Sequence, residues 1–175
     1  MYDIPLSRTV ELIGDVDGKA FEGVSRALKN LHAQDPEAWI RLQITSPGGS
    51  ATLTFALYDL IMWLKLNLQT VIFGEADSMA IVLALAGDQR LMSQRSCLFF
   101  HEFGRTLSQD RRLTTTALAN ALHDLTTDQQ LYVQVVVERT EGKVSAQQVL
   151  EMMNRETRLT AGEAVRLGFV HEILT

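Results

Sequence analysis

The chain has 175 residues, of which 46% are apolar, and its 16 basic and 21 acidic side chains give a net charge of −5. This length suits one domain with one core, and the apolar content excludes an intrinsically disordered chain. The modest acidity offers no basic surface for nucleic acid, and a single cysteine, Cys97, excludes a scaffold built on disulfides. We find no signal peptide and no apolar run long enough for a bilayer, so we expect a soluble, cytoplasmic protein without membrane contact.

Strand-like and helix-like apolar patterns alternate along the chain. The predicted strands lie at 10–14, 39–44, 70–73, 90–92, 97–100 and 169–174. The predicted helices lie at 17–32, 52–66, 78–86, about 113–139, 145–153 and 161–167. This alternation predicts an α/β fold in which a largely parallel sheet is flanked by helices.

Two glycine turns, at Gly48-Gly49 and at Gly74, follow predicted strands. In a parallel sheet, ligands bind at the carboxyl ends of the strands, where such turns lie. Glycines would let the backbone approach an oxyanion or a phosphate closely, although a simple tight turn explains them equally well. No Gly-Lys-Ser/Thr follows either turn, so neither is a Walker loop.

Ser78 stands at the start of the predicted apolar helix 78–86. Backbone N–H groups at a helix start lack partners, so a serine there could attack a carbonyl while these groups stabilise the oxyanion. The simpler interpretation of this segment alone is that Ser78, or Asp77 before it, caps the helix.

His101 follows the short apolar strand and should face the same crevice as the glycine turns. Local hydrogen bonds would explain an isolated histidine equally well. The other histidines are His32, His123 and His171. No pair has the spacing of metal ligands, so we predict no metal site and no cofactor. Cys97 lies four residues before His101, too far along a strand to pair with it, and we expect it in the core.

Four sequence blocks resemble the ClpP proteases and occur in the same order as in that family. They are ITSPGGS at 44–50 with ALYD at 56–59, GEADSMA at 74–80, LFFH at 98–101, and LTAGEA at 159–164 with GFV at 168–170. They resemble, in turn, the Ser-Pro-Gly-Gly signature, the nucleophile segment, the strand before the catalytic histidine and the C-terminal block. The resemblance covers nearly the whole chain from about Leu6.

The resemblance implies a ClpP/crotonase-type fold with a protruding handle helix. One domain would span 1–175, with its head at about 1–107 and 145–175 and its handle at about 108–142. It assigns Ser78 as the nucleophile, His101 as the general base, and the backbone N–H groups of Gly49 and Met79 as the oxyanion hole. It also implies a homo-oligomer, a heptameric ring or double ring, that hydrolyses peptides or unfolded proteins in its chamber.

The chain departs from the family at the third member of the triad. The family's aspartate lies seven residues before the leucine of the last block, and the same count from Leu159 gives Met152. A thioether cannot orient or charge-stabilise an imidazole, so Asn154 is the substitute if the register shifts, with Glu151 and Glu156 as further candidates. Asp77 also places an acid beside the nucleophile, where it would disfavour a negative oxyanion.

The beginning of the chain is a second departure. Residues 2–4 resemble the segment before the family's first strand, and the axial-loop residues that face a Clp-type ATPase are absent, which argues against docking to such an ATPase. We therefore predict a serine-type endopeptidase with an incomplete triad. The alternatives are a catalytically weak or inactive ClpP-like subunit with a structural or regulatory role, and a crotonase-type enzyme acting on acyl-CoA.

Overall fold

The computed structural model describes residues 4–104 and 114–174. Within them, after a 3₁₀ turn at Leu6–Arg8, the strands are β1 (Thr9–Ile13), β2 (Ile40–Ser46), β3 (Leu68–Asp77), β4 (Gln89–Ser93), β5 (Cys97–Phe99), β6 (Arg158–Thr160) and β7 (Glu172–Leu174). The helices are α1 (Gly18–Gln34), α2 (Ala51–Leu64), α3 (Ala80–Leu85), α4 (Thr115–Arg139), α5 (Ala146–Asn154) and α6 (Ala161–Arg166).

A parallel sheet in the order β1-β2-β3-β4-β7 forms the centre of the molecule. The carboxyl end of β3 leaves β4 and pairs with β5 instead, and β6 joins β5 antiparallel. Helices flank this mainly parallel sheet, so the predicted α/β fold is confirmed. The second half of β3 thus belongs to a small sheet of β3, β5 and β6. Strands β3 and β5 of this sheet end just before Ser78 and His101.

The helix after β3 lies in the core, since every residue of α3 is buried. Three aromatic side chains, Phe100, Tyr132 and Phe169, are also fully buried. The ring centroids of Phe100 and Phe169 lie 5.3 Å apart, and those of Phe100 and Tyr132 lie 6.5 Å apart. This packing anchors the backbone immediately before His101.

Two predicted strand boundaries are wrong. The strand predicted at 70–73 continues through Gly74 to Asp77, because residues 75–77 pair with β5. Gly74 therefore lies within a strand rather than in a turn at its end. The last strand begins at Glu172 rather than at Phe169, because Phe169 packs in the core and its carbonyl accepts a hydrogen bond from Arg90.

The long helix α4 has a buried and an exposed half. Tyr132 and Val136 are buried near its carboxyl end, whereas Leu118 and Leu122 are exposed nearer its start. The predicted helix start at Leu113 and the predicted handle residues 108–113 lie outside the described residues. None of the described helices combines the length and the apolar character that crossing a membrane requires.

Candidate active site

Ser78 occupies the tight turn between β3 and α3. Its φ of +52° lies in the left-handed region, which a residue with a side chain adopts only at an energetic cost. Its backbone N–H donates to the Phe99 carbonyl at 2.8 Å, which holds the turn against β5. Helix α3 begins two residues later and has no side-chain cap, so the capping interpretation of Ser78 and Asp77 is wrong.

The glycine turn after β2 packs directly against this serine. Gly48 has a φ of +98°, and a methyl group on it would lie 2.8 Å from the Ser78 Cβ and 2.8 Å from the Asp77 carbonyl oxygen. Gly49 in turn contacts the backbone of Val16, where a methyl group would lie 2.7 Å from the carbonyl oxygen. The positions need glycine because no other residue allows the turn, the nucleophile segment and Val16 to approach so closely.

Hydrogen bonds fix the glycine turn in this position. The Val16 N–H donates to the Gly48 carbonyl at 2.7 Å, and the Ser50 N–H donates to the Val16 carbonyl at 2.9 Å. The Gly48 N–H donates to the Ser46 hydroxyl at 3.1 Å. In the part of the chain that the structure describes, no protein acceptor takes the N–H of Gly49 or of Met79. These two N–H groups are therefore available to an oxyanion.

One cavity of about 440 Å³ brings the predicted catalytic residues together. Its lining includes Gly49, Ser78, Met79 and His101, together with Phe103 and Leu125 on the far side and the acidic residues Asp15 and Asp128. The strand ends of β2 and β3, the segment after β5 and helix α4 all contribute to the walls. The nucleophile, base and oxyanion donors predicted from the sequence thus share one cavity.

His101 is half-buried and follows the anchored Phe100. Its Nδ1 lies 2.7 Å from the backbone carbonyl oxygen of Glu102. Because a carbonyl can only accept, Nδ1 must carry the proton in this contact, and Nε2 keeps its lone pair. This is the tautomer that a general base needs.

Met152, the residue at the aspartate position, lies elsewhere. Its side chain packs at the edge of the core and lines a separate cavity of about 280 Å³ with Gln148, Arg155 and Leu167. It also has no group that could bind an imidazole. The structure therefore does not bring Met152 into the cavity of Ser78 and His101.

Asn154, the predicted substitute, contacts the residue after the histidine. When the Asn154 amide is oriented with its nitrogen toward these acceptors, the nitrogen donates to Glu102 Oε1 at 3.0 Å and to the Leu150 carbonyl at 3.2 Å. Within the described residues, its hydrogen bonds reach the Glu102 side chain and not the imidazole. Asn154 thus holds the residue whose carbonyl binds Nδ1 of His101.

Asp77 is a buried carboxylate directly before the nucleophile. Its side chain is 7% exposed, and its Oδ1 has no hydrogen-bond partner among the described residues. Burial and the neighbouring charge of Glu75 raise the pKa of Asp77 to about 6, although Arg158, the Phe99 backbone N–H and His101 act in the opposite direction.

Sequence reasoning missed Arg158. The residue lies on the three-residue strand β6, which was not predicted because so short a segment has no measurable periodicity. Its guanidinium lies 4.8 Å from the centroid of the Phe99 ring, and Nη1 donates to Cys97 Sγ at 2.7 Å. Cys97 is therefore half-exposed on the small sheet, not a core residue as predicted.

A comparison with models of known protein families identifies the family of the chain. The family model described as Clp protease matches residues 3–175 of the chain. The match includes the central sheet, the glycine turn, the Ser78 turn and the strand that leads to His101. It therefore spans nearly the same length as the four blocks that carry the resemblance.

Proposed function

Because the chain belongs to the Clp protease family, we propose that it is a serine-type endopeptidase with Ser78 as nucleophile and His101 as general base. One observation carries this proposal: Ser78, in its left-handed turn, and His101, with Nε2 free to accept a proton, line the same cavity. A serine hydroxyl is a weak nucleophile on its own and needs such a base beside it.

The proposed reaction proceeds through an acyl-enzyme. Ser78 Oγ attacks the peptide carbonyl carbon as its proton passes to His101 Nε2, and the N–H groups of Gly49 and Met79 bind the oxyanion. His101 then gives this proton to the leaving amine. Water, deprotonated by the same imidazole, hydrolyses the ester and restores the Ser78 hydroxyl.

We extend the proposal to assembly and substrate. Large apolar side chains are exposed on α4 at Leu118, Leu122 and Leu131, as expected of a surface that meets other copies of the chain. In a homo-oligomeric ring of seven subunits, or two stacked rings, the cavities would face a common chamber. Peptides and unfolded proteins in the cytoplasm are the substrates that fit such a chamber.

A specific observation favours a second candidate function, a weakly active or inactive subunit with a structural or regulatory role. Met152 stands where the family has its aspartate, and Nδ1 of His101 binds a neutral carbonyl instead of a carboxylate. Loss of the triad carboxylate alone lowers turnover by about 10⁴ in a serine protease, so a slow or silent site is a physical consequence of this substitution.

Hydrolysis of quenched fluorogenic peptides and of a labelled unfolded protein by the assembled protein tests these two candidates. We expect cleavage by the natural chain and a loss of about 100-fold or more in both Ser78→Ala and His101→Ala. Ser7→Ala, which changes an exposed serine outside the cavity lining, is the matched control and should keep the activity.

Two outcomes would reject the endopeptidase. Equal cleavage by the natural chain and Ser78→Ala would show that another group performs the reaction. Absence of cleavage in a correctly assembled natural chain would favour the inactive subunit.

A further inference from the structure

One face of the small sheet formed by β3, β5 and β6 carries side chains that lie near the His101 imidazole. Asp77 on β3 is in register with Phe99 on β5, and Phe99 is in register with Arg158 on β6. Paired residues of neighbouring strands share a face, and so do residues two apart along an extended chain. His101 follows Phe99 by two residues, and their ring centroids lie 5.8 Å apart. Asp77 and His101 therefore flank the same aromatic ring.

The burial of Asp77 is only partly compensated by its surroundings. A buried carboxylate normally has hydrogen-bond donors or a metal around it, because leaving it unpaired costs free energy. Asp77 is 7% exposed, and its Oδ1 has no such partner within residues 4–104 and 114–174, although the Phe99 backbone N–H favours the charged carboxylate. Its side chain also does not cap α3. A residue that destabilises the fold beside a nucleophile is a candidate for a function.

The charged groups that face Asp77 are few. They are Glu75 on the same strand, Arg158 on β6 and His101 after β5. Arg158 is exposed and already binds Cys97 Sγ and the face of Phe99. Of these three groups, His101 is the one that lines the cavity of Ser78.

The proposed reaction needs a negative charge near His101. When the Ser78 O–H bond breaks and an N–H bond forms at Nε2, the imidazole becomes positive. The Glu102 carbonyl orients the ring but carries no full charge, and Met152 lines another cavity. In a serine protease, a buried carboxylate stabilises this imidazolium.

We propose that Asp77 is the positioning residue that stabilises the His101 imidazolium, in place of the carboxylate that the chain lacks at Met152. The inference rests on the proposed function. Asp77 takes no proton from the substrate and forms no covalent bond. It acts through His101, as a charge carried on β3 rather than on α5, where Met152 lies.

Steady-state kinetics of Asp77→Asn, which keeps the size and removes the charge, is the first test. We expect kcat to fall about 10-fold to 100-fold with KM unchanged within about twofold, because only the charged transition state is affected. An ionisation near pH 6, the value to which burial raises the pKa of Asp77, should also disappear from the pH profile of kcat. Glu75→Gln, on the same face, is the matched control and should keep kcat.

A titration of the Asp77 carboxyl carbon by aspartate-selective carbon-13 NMR tests the coupling without activity. In His101→Gln the pKa of Asp77 should be higher than in the natural chain, and in Glu75→Gln it should be lower, because the positive and negative neighbours act in opposite directions. Asp77→Asn assigns the signal, and this measurement succeeds or fails independently of peptidase activity.

Unchanged kcat in Asp77→Asn, a higher kcat, or the same Asp77 titration in His101→Gln as in the natural chain would each overturn the inference. If the coupling is present and the natural chain cleaves no peptide, the proposed function fails and the coupling stands. If cleavage depends on Ser78 and the coupling is absent, the proposed function stands and the inference fails.

Discussion

At the scale of single residues, Gly48 determines where the nucleophile can lie. We expect Gly48→Ala to reduce peptidase activity by about 100-fold or more, because a methyl group 2.8 Å from the Ser78 Cβ displaces the nucleophile, and Gly48 has a φ of +98°. Initial rates of peptide cleavage measure this effect.

The matched control is Gly162→Ala. Nothing lies within 4 Å of a methyl group there, and no positive φ is required, so the activity and the fold should stay unchanged. Activity of Gly48→Ala within about twofold of the natural chain would contradict the placement of this turn against Ser78.

Asp77 gives a second prediction at this scale, on stability and pH. Its pKa in the folded protein is about 6, above the usual 3.8, so ionisation destabilises the folded state as pH rises from about 4 through 6. Asp77→Asn should therefore raise the free energy of unfolding at pH 8 by about 1 to 2 kcal/mol, since solvent screens part of the effect, and the gain should shrink toward pH 4. Urea denaturation at both pH values measures it. A gain that does not depend on pH would contradict the buried, ionised carboxylate.

At the scale of elements, the last residue of α4 supports the helix that follows the nucleophile. Arg139 Nε donates to the Leu85 carbonyl at 2.7 Å, and its Nη2 donates to the Gly87 carbonyl at 2.8 Å. We expect Arg139→Met to lower the free energy of unfolding by about 2 kcal/mol, because two buried carbonyl groups lose charged donors. The midpoint of urea unfolding measures the loss. Arg155→Met, at an exposed position, is the control, and an equal loss in both variants would contradict this role.

The elements also show what the sequence could and could not predict. Strand β2 and helices α1 and α2 follow from runs with clear periodicity, whereas β1 follows from a short run that alternates only weakly. Strand β3 extends to Asp77, and β6 exists, only because both pair with β5. These pairings join segments that are distant in the chain, so they leave no local pattern in the sequence. Likewise, the apolar run at 78–86 indicated a helix, but only the left-handed backbone conformation of Ser78 shows that the helix begins after the nucleophile.

Some residues of the candidate site could be predicted from the sequence, and others could not. Gly49, Ser78, Met79 and His101 could be proposed because short blocks of sequence carry the resemblance. The partner of His101 Nδ1 could not, because the motif position holds Met152 and the contact comes from a backbone carbonyl, which any residue would provide. The shared face of Asp77 and His101 required the register of β3 and β5.

At the scale of the whole molecule, exposed leucines on α4 should hold copies of the chain together. We expect the double variant Leu118→Glu and Leu122→Glu to dissociate the assembly into smaller species, because it places charges in an apolar contact. Sedimentation velocity measures the change. Asn120→Glu, on the opposite side of the same helix, should keep the natural mass. An unchanged mass in the leucine variant would contradict an interface at α4.

Covalent labelling by a fluorophosphonate, located by peptide mass spectrometry in the assembled protein, is the most direct test of the central claim. The account predicts one phosphonylated residue, Ser78, and labelling that is strongly slowed in His101→Ala, because the imidazole must take the hydroxyl proton. Labelling at another serine, or none at Ser78 in the assembled protein, would contradict it.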